Sequence, residues 1–94
     1  MKVIWKYTLT PSRLHDKQEQ ELEIPSNSKL LKTVCVDETL ILYYLVDPNE
    51  ERIKKCFKYV MTGEEFEYNG LDYIDSIITD RGLVVHWFQE WVEK

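Results

Sequence analysis

The sequence predicts a small, mainly β protein forming one domain over residues 1–94. The expected architecture is an antiparallel meander, curled sheet or small barrel of six or seven short strands. Three observations carry this. Apolar and polar residues alternate with period two in segment after segment. Turn chemistry recurs about every 8–12 residues. Aromatic and β-branched residues are plentiful, while Gly and Pro are few.

The first strand is expected over residues 2–10. Val3, Trp5, Tyr7 and Leu9 share one face, and Lys2, Lys6, Thr8 and Thr10 the other. Pro11 and Ser12 end it, and the polar run 11–19 reads as a loop. Over residues 20–24, Leu22 and Ile24 oppose Glu21 and Glu23, which predicts a second strand. Pro25-Ser26-Asn27-Ser28 then turns the chain.

Residues 29–46 read as a hairpin around Asp37-Glu38. Its second arm, Thr39 to Val46, is apolar on both faces and predicts a central strand covered on both sides. Asp47-Pro48-Asn49 is turn chemistry. In 53–61, Ile53, Phe57, Tyr59 and Met61 oppose Lys54, Cys56, Lys58 and Val60. Thr62-Gly63 breaks that run, and the acidic stretch 64–70 ends in the turn pair Asn69-Gly70. Residues 71–79 and 83–89 form a closing hairpin around Asp80-Arg81-Gly82. The spacing of Leu83, Val84, Trp87, Phe88, Trp91 and Val92 also fits a helix, so 88–94 is an alternative short C-terminal helix.

Net charge is −5 and unevenly placed. Residues 59–94 hold eight acids against Arg81 and Lys94, whereas residues 1–58 are near balance. Such an acidic third disfavours non-specific binding to a phosphate backbone. No apolar run approaches the ~20 residues of a membrane-spanning helix. The N-terminus has Lys6 and threonines where a signal peptide is apolar, so a mature cytoplasmic chain is expected.

Cys35 and Cys56 form no Cys-x-x-Cys pair and read as buried free thiols, or as a disulfide if their strands are neighbours. The two histidines, His15 and His86, lie far apart, and no metal-ligand spacing or Gly-rich phosphate loop is present. Ser12 near His15 lacks an orienting group. No catalytic residues, metal or cofactor are therefore expected.

The candidate binding residues are few. Lys54, Lys55 and Lys58, placed beside Tyr43 and Tyr44, would line a pocket for a small anionic ligand. The competing reading makes these lysines guards of a solvated edge strand. His86 on an alternating strand reads as a packed, hydrogen-bonded ring or as a pocket group. Trp91 lies beyond the last strand residue, near an acidic end, where it would fold back or face a partner.

Several stretches resemble a small domain-of-unknown-function family of bacteriophages and prophages. They are the opening Lys2-Val3-Ile4-Trp5-Lys6-Tyr7, Leu22-x-Ile24-Pro25, Tyr44-Leu45-Val46-Asp47-Pro48, Thr62-Gly63 and the final hairpin from Leu71 to Phe88. The polar loop 11–19, the acidic 64–70 and Trp91 depart from that pattern. The resemblance implies a β-rich fold, a phage origin and a bacterial host cytoplasm, and it carries no activity. The expected function is that of a non-enzymatic phage accessory protein that binds and inhibits a host defence protein. The alternatives are a binder that sequesters an anionic nucleotide signal and a structural or homeostatic accessory protein. An exposed edge strand or the Trp91 tail would allow a homo-oligomer.

Overall fold

The computed structural model describes residues 1–11 and 18–90. Seven strands follow in chain order: β1 Val3–Leu9, β2 Glu19–Pro25, β3 Lys29–Val36, β4 Thr39–Val46, β5 Arg52–Met61, β6 Leu71–Ile78 and β7 Val84–Glu90. They form two antiparallel sheets, of order β1-β4-β3 and β2-β5-β7-β6. The all-β expectation holds, but the strands divide into two layers and do not close into a barrel. Residues 88–90 continue β7, so no helix begins there; the rest of the 88–94 alternative, with Trp91, lies outside the described residues.

Alternation decides what lies between the layers. Leu9, Leu40, Leu42, Tyr44 and Val46 come from the three-stranded sheet. Ile24, Phe57, Tyr59, Ile77, Val85 and Trp87 come from the other, and together they form one buried core. Tyr44 donates a hydrogen bond across the layers to Gln89 Oε1 at 3.3 Å. Trp87 packs on Tyr59 with ring centroids 5.1 Å apart, and its indole N–H is the one buried side-chain donor among the described residues left without a partner.

Side chains tie both flanks of the two layers. On one, Gln20 of β2 accepts from the Thr10 N–H and donates to the Thr8 carbonyl. On the other, Thr33 of β3 donates to the carboxylate of Asp75, and Cys35 Sγ lies 3.3 Å from the Ser76 carbonyl. A bulge between Tyr73 and Asp75 makes this possible. The extra residue turns Asp75 toward β3 and restores Ser76 to the outer face.

The turns follow their sequence signals. Gly82 sits at φ 80, and the Gly82 N–H donates to the Thr79 carbonyl at 2.9 Å. Gly70 at φ 81 likewise closes the Asn69-Gly70 turn. The β3–β4 hairpin is less comfortable. Asp37 and Glu38 both have positive φ, 47 and 66, with no glycine to relieve it.

Three expectations change. β4 is central, but only its inward side is buried; Ile41, Tyr43 and Leu45 are half-buried on an open outer face. β5 is internal, between β2 and β7, so its lysines do not guard an edge. Cys35 and Cys56 lie on strands of different sheets and are free thiols, one exposed and one half-buried.

Candidate functional site

The structure distributes the residues singled out by sequence over three surfaces. Lys55 points inward, with Nζ 5.3 Å from the Tyr44 ring centroid. Its half-burial lowers the ammonium's pKa, while burial pushes the Tyr44 phenol up to about 12. Lys54 and Lys58 point the other way, in register with Glu23 and Glu19 of β2. Tyr43 lies on the far side of the molecule, on the outer face of the three-stranded sheet. The five do not line one pocket, because β4 and β5 face each other across the core instead of pairing. A cleft of about 450 Å³ does open between the layers, walled by Tyr59, Met61, Leu83 and Val85 with Arg81 at its rim, and it contains none of these residues.

His86 stands at the centre of a different arrangement, on the outer face of the four-stranded sheet. The period of β7 sends Val85 and Trp87 into the core and His86 and Phe88 outward. Pairing then sets Val60 and Ser76 on either side of His86. His86 Nδ1 lies 2.7 Å from Ser76 Oγ, and Nε2 lies 2.7 Å from Thr62 Oγ1. Ser76 Oγ in turn lies 2.6 Å from the Tyr73 hydroxyl. A serine beside an imidazole can act as a nucleophile, but the triad logic needs a carboxylate on the second ring nitrogen. Here a threonine hydroxyl occupies that position, and the Asp75 carboxylate is engaged by Thr33 and the Ser76 N–H. The chain Thr62–His86–Ser76–Tyr73 ties these side chains to one another across the sheet.

Tyr73 also belongs to an aromatic cluster. Phe88 is 6% exposed, although it lies on an outer face, because three rings surround it. Phe66, Tyr68 and Tyr73 place their centroids 5.2, 6.1 and 5.6 Å from that of Phe88. Val60 and Leu71 complete the floor. The covering rings remain open to solvent, with Tyr68 60% and Tyr73 54% exposed. Phe66 and Tyr68 reach the sheet because the 62–70 segment crosses it between β5 and β6. That crossing is pinned by Glu64, which accepts from the Met61 N–H at 2.9 Å and from Gln18 at 3.0 Å. Those bonds, the Met61 N–H first, hold the Glu64 carboxyl below its ordinary pKa.

The surround is acidic. Glu65 and Glu67 are exposed on the segment that carries Phe66 and Tyr68. Glu90, opposite Leu71, has its carboxyl pKa raised by partial burial and by Glu19. Cys56 lies 3.8 Å from Glu21, and burial followed by Glu21 and Glu90 raises its thiol pKa. A thiol so placed is a poor nucleophile at neutral pH. Among the described residues, no group of three or more His, Cys, Asp or Glu is arranged to hold a metal ion.

His86 was legible as a candidate, but Phe66, Tyr68 and Tyr73 were not. Their signal was present: two aromatic residues in alternation within an otherwise acidic loop, followed by a third on the next strand.

One comparison with known proteins bears on identity. A family model described as a domain of unknown function (DUF7352) matches residues 1–94. The chain belongs to the DUF7352 family. No curated protein and no solved structure matches it. The DUF7352 match spans every element of the sandwich, so the aromatic face and the strands that build it lie within the family domain. None of the described residues of this DUF7352 domain forms a helix long and apolar enough to cross a membrane.

Proposed function

We propose that this DUF7352 domain is a non-enzymatic protein-binding module that docks its partner on the outer face of the four-stranded sheet. The observation that carries the reading is the ring cluster of Phe66, Tyr68 and Tyr73 around Phe88, exposed to solvent yet fixed on a paired sheet. Interface energy concentrates in aromatic anchors of this kind. Rings already held by packing and by the Tyr73–Ser76–His86 chain lose little freedom on binding. The carboxylates of Glu65 and Glu67 favour a partner with a basic surface and steer its approach.

The resemblance to phage proteins supports a finer reading, in which the chain is phage-encoded and its partner is a host protein, a defence component, in the bacterial cytoplasm. The nucleotide-sequestering alternative loses its proposed pocket, since Lys54, Lys55 and Lys58 do not converge. The test is affinity capture from a bacterial host lysate with the native chain and with a Tyr68→Ala/Tyr73→Ala variant. The reading expects one stoichiometric partner with the native chain and its loss with the variant.

A further inference from the structure

The other outer face has the opposite character. Across β1-β4-β3 the register builds three rows: Ile4–Leu45–Lys29, Lys6–Tyr43–Lys32 and Thr8–Ile41–Val34. Their partners one residue along each strand, such as Trp5, Tyr44 and Leu42, face the core, so these rows face outward. The bulge between Leu30 and Lys32 brings Lys32 into the row with Tyr43. Without it, alternation from Leu30 would turn Lys32 inward. Tyr43 therefore lies between two exposed lysines, in the middle of an apolar stripe of Leu45 and Ile41. Every charged residue in these rows is a lysine; the nearest hairpin acids, Asp37 and Glu38, sit at its far end.

We infer that the outer face of the three-stranded sheet binds single-stranded nucleic acid. An aromatic ring flanked by cations on an open sheet matches the two needs of such a ligand. A base stacks on the ring whatever its identity, and the adjoining phosphates pair with the ammonium groups. The net charge of −5 argues against this only if charge is spread evenly. The fold segregates it, with the acidic residues of the aromatic site on the opposite sheet, a full sandwich thickness away. An acidic protein would answer the lysines equally well, but it gives no reason for a ring set between them.

The test is fluorescence anisotropy of a labelled oligothymidylate of about 12 nucleotides, within the ~4–16 that single-strand sites of this kind cover. With Lys6, Lys29 and Lys32 neutralising phosphates, log K is expected to fall with log salt at a slope of about −2. Lys6→Gln and Lys32→Gln each reduce that slope by about 0.7. Tyr43→Leu weakens binding about tenfold while leaving the slope unchanged. Lys54→Gln, on the opposite sheet, changes neither. Circular dichroism confirms that each variant is folded. Absence of binding at low salt overturns the inference, as does binding that Tyr43→Leu leaves intact. Displacement by polyglutamate as readily as by unlabelled oligonucleotide also overturns it, because the face would then be a site for acidic protein.

Discussion

Ser76 Oγ and His86 Nδ1 lie 2.7 Å apart on neighbouring strands, at the middle of a hydroxyl–imidazole chain across the outer face of the four-stranded sheet. With Thr62 on the far nitrogen and Tyr73 on the serine, the pair links β7 and β6 to the turn that follows β5. Ser76→Ala is expected to cost about 1 kcal/mol. In a domain of this size that lowers Tm by ~4–8 °C, measurable by thermal unfolding. The substitution also frees the Tyr73 hydroxyl, so partner affinity falls as well. An unchanged Tm would show that the hydroxyl chain holds nothing.

The β3–β4 hairpin stores backbone strain at Glu38, a non-glycine residue at φ 66. The Asp-Gly pair is favoured in two-residue hairpin turns that need positive φ at both positions. Glu38→Gly is therefore expected to stabilise the domain by about 1 kcal/mol. Chemical denaturation should show a higher midpoint with an unchanged slope, since the surface exposed on unfolding stays the same.

Tyr44 sets an alkaline limit. Burial raises its phenol from 10.0 to about 12 in the folded chain. Between those values the unfolded chain has lost the proton and the folded chain keeps it, so stability falls as pH rises. That contribution is complete below pH 10 and gone above about pH 12. Lys55 acts in the opposite direction, because burial lowers its pKa and the folded chain sheds that proton first. Tyr44→Phe removes the Tyr44 part of the alkaline loss and leaves that of Tyr7 and Tyr59, whose phenols burial also raises, so its stability should fall less steeply over the same interval than that of the native chain. Denaturant unfolding across that range reads both curves.

The strands were legible because each layer has one buried and one open side, which writes period two into the chain. Val3, Trp5, Tyr7 and Leu9 show it on β1, and Ile53, Phe57 and Tyr59 on β5. Turn positions were legible because Gly70 and Gly82 occupy conformations that other residues resist. Pairing between distant strands leaves no such mark. Nothing local tells Lys58 that Glu19 lies beside it, or Tyr43 that Lys6 and Lys32 flank it. The lysines of β5 lie on the other sheet from Tyr43, whose row holds Lys6 and Lys32. The aromatic face was hidden for a related reason. Phe66 and Tyr68 sit in a segment whose acidity reads as loop, and only the crossing over Phe88 reveals their use.

A protein-docking face is proposed at the rings around Phe88. Its most direct test is quantitative affinity capture from a bacterial host lysate, comparing the native chain with Tyr68→Ala/Tyr73→Ala and with Lys6→Gln/Lys32→Gln. One stoichiometric partner is expected, retained by the lysine variant and lost by the tyrosine variant, with both variants folded by circular dichroism. A partner that survives loss of both tyrosines, or one that leaves only with the lysines, would contradict it.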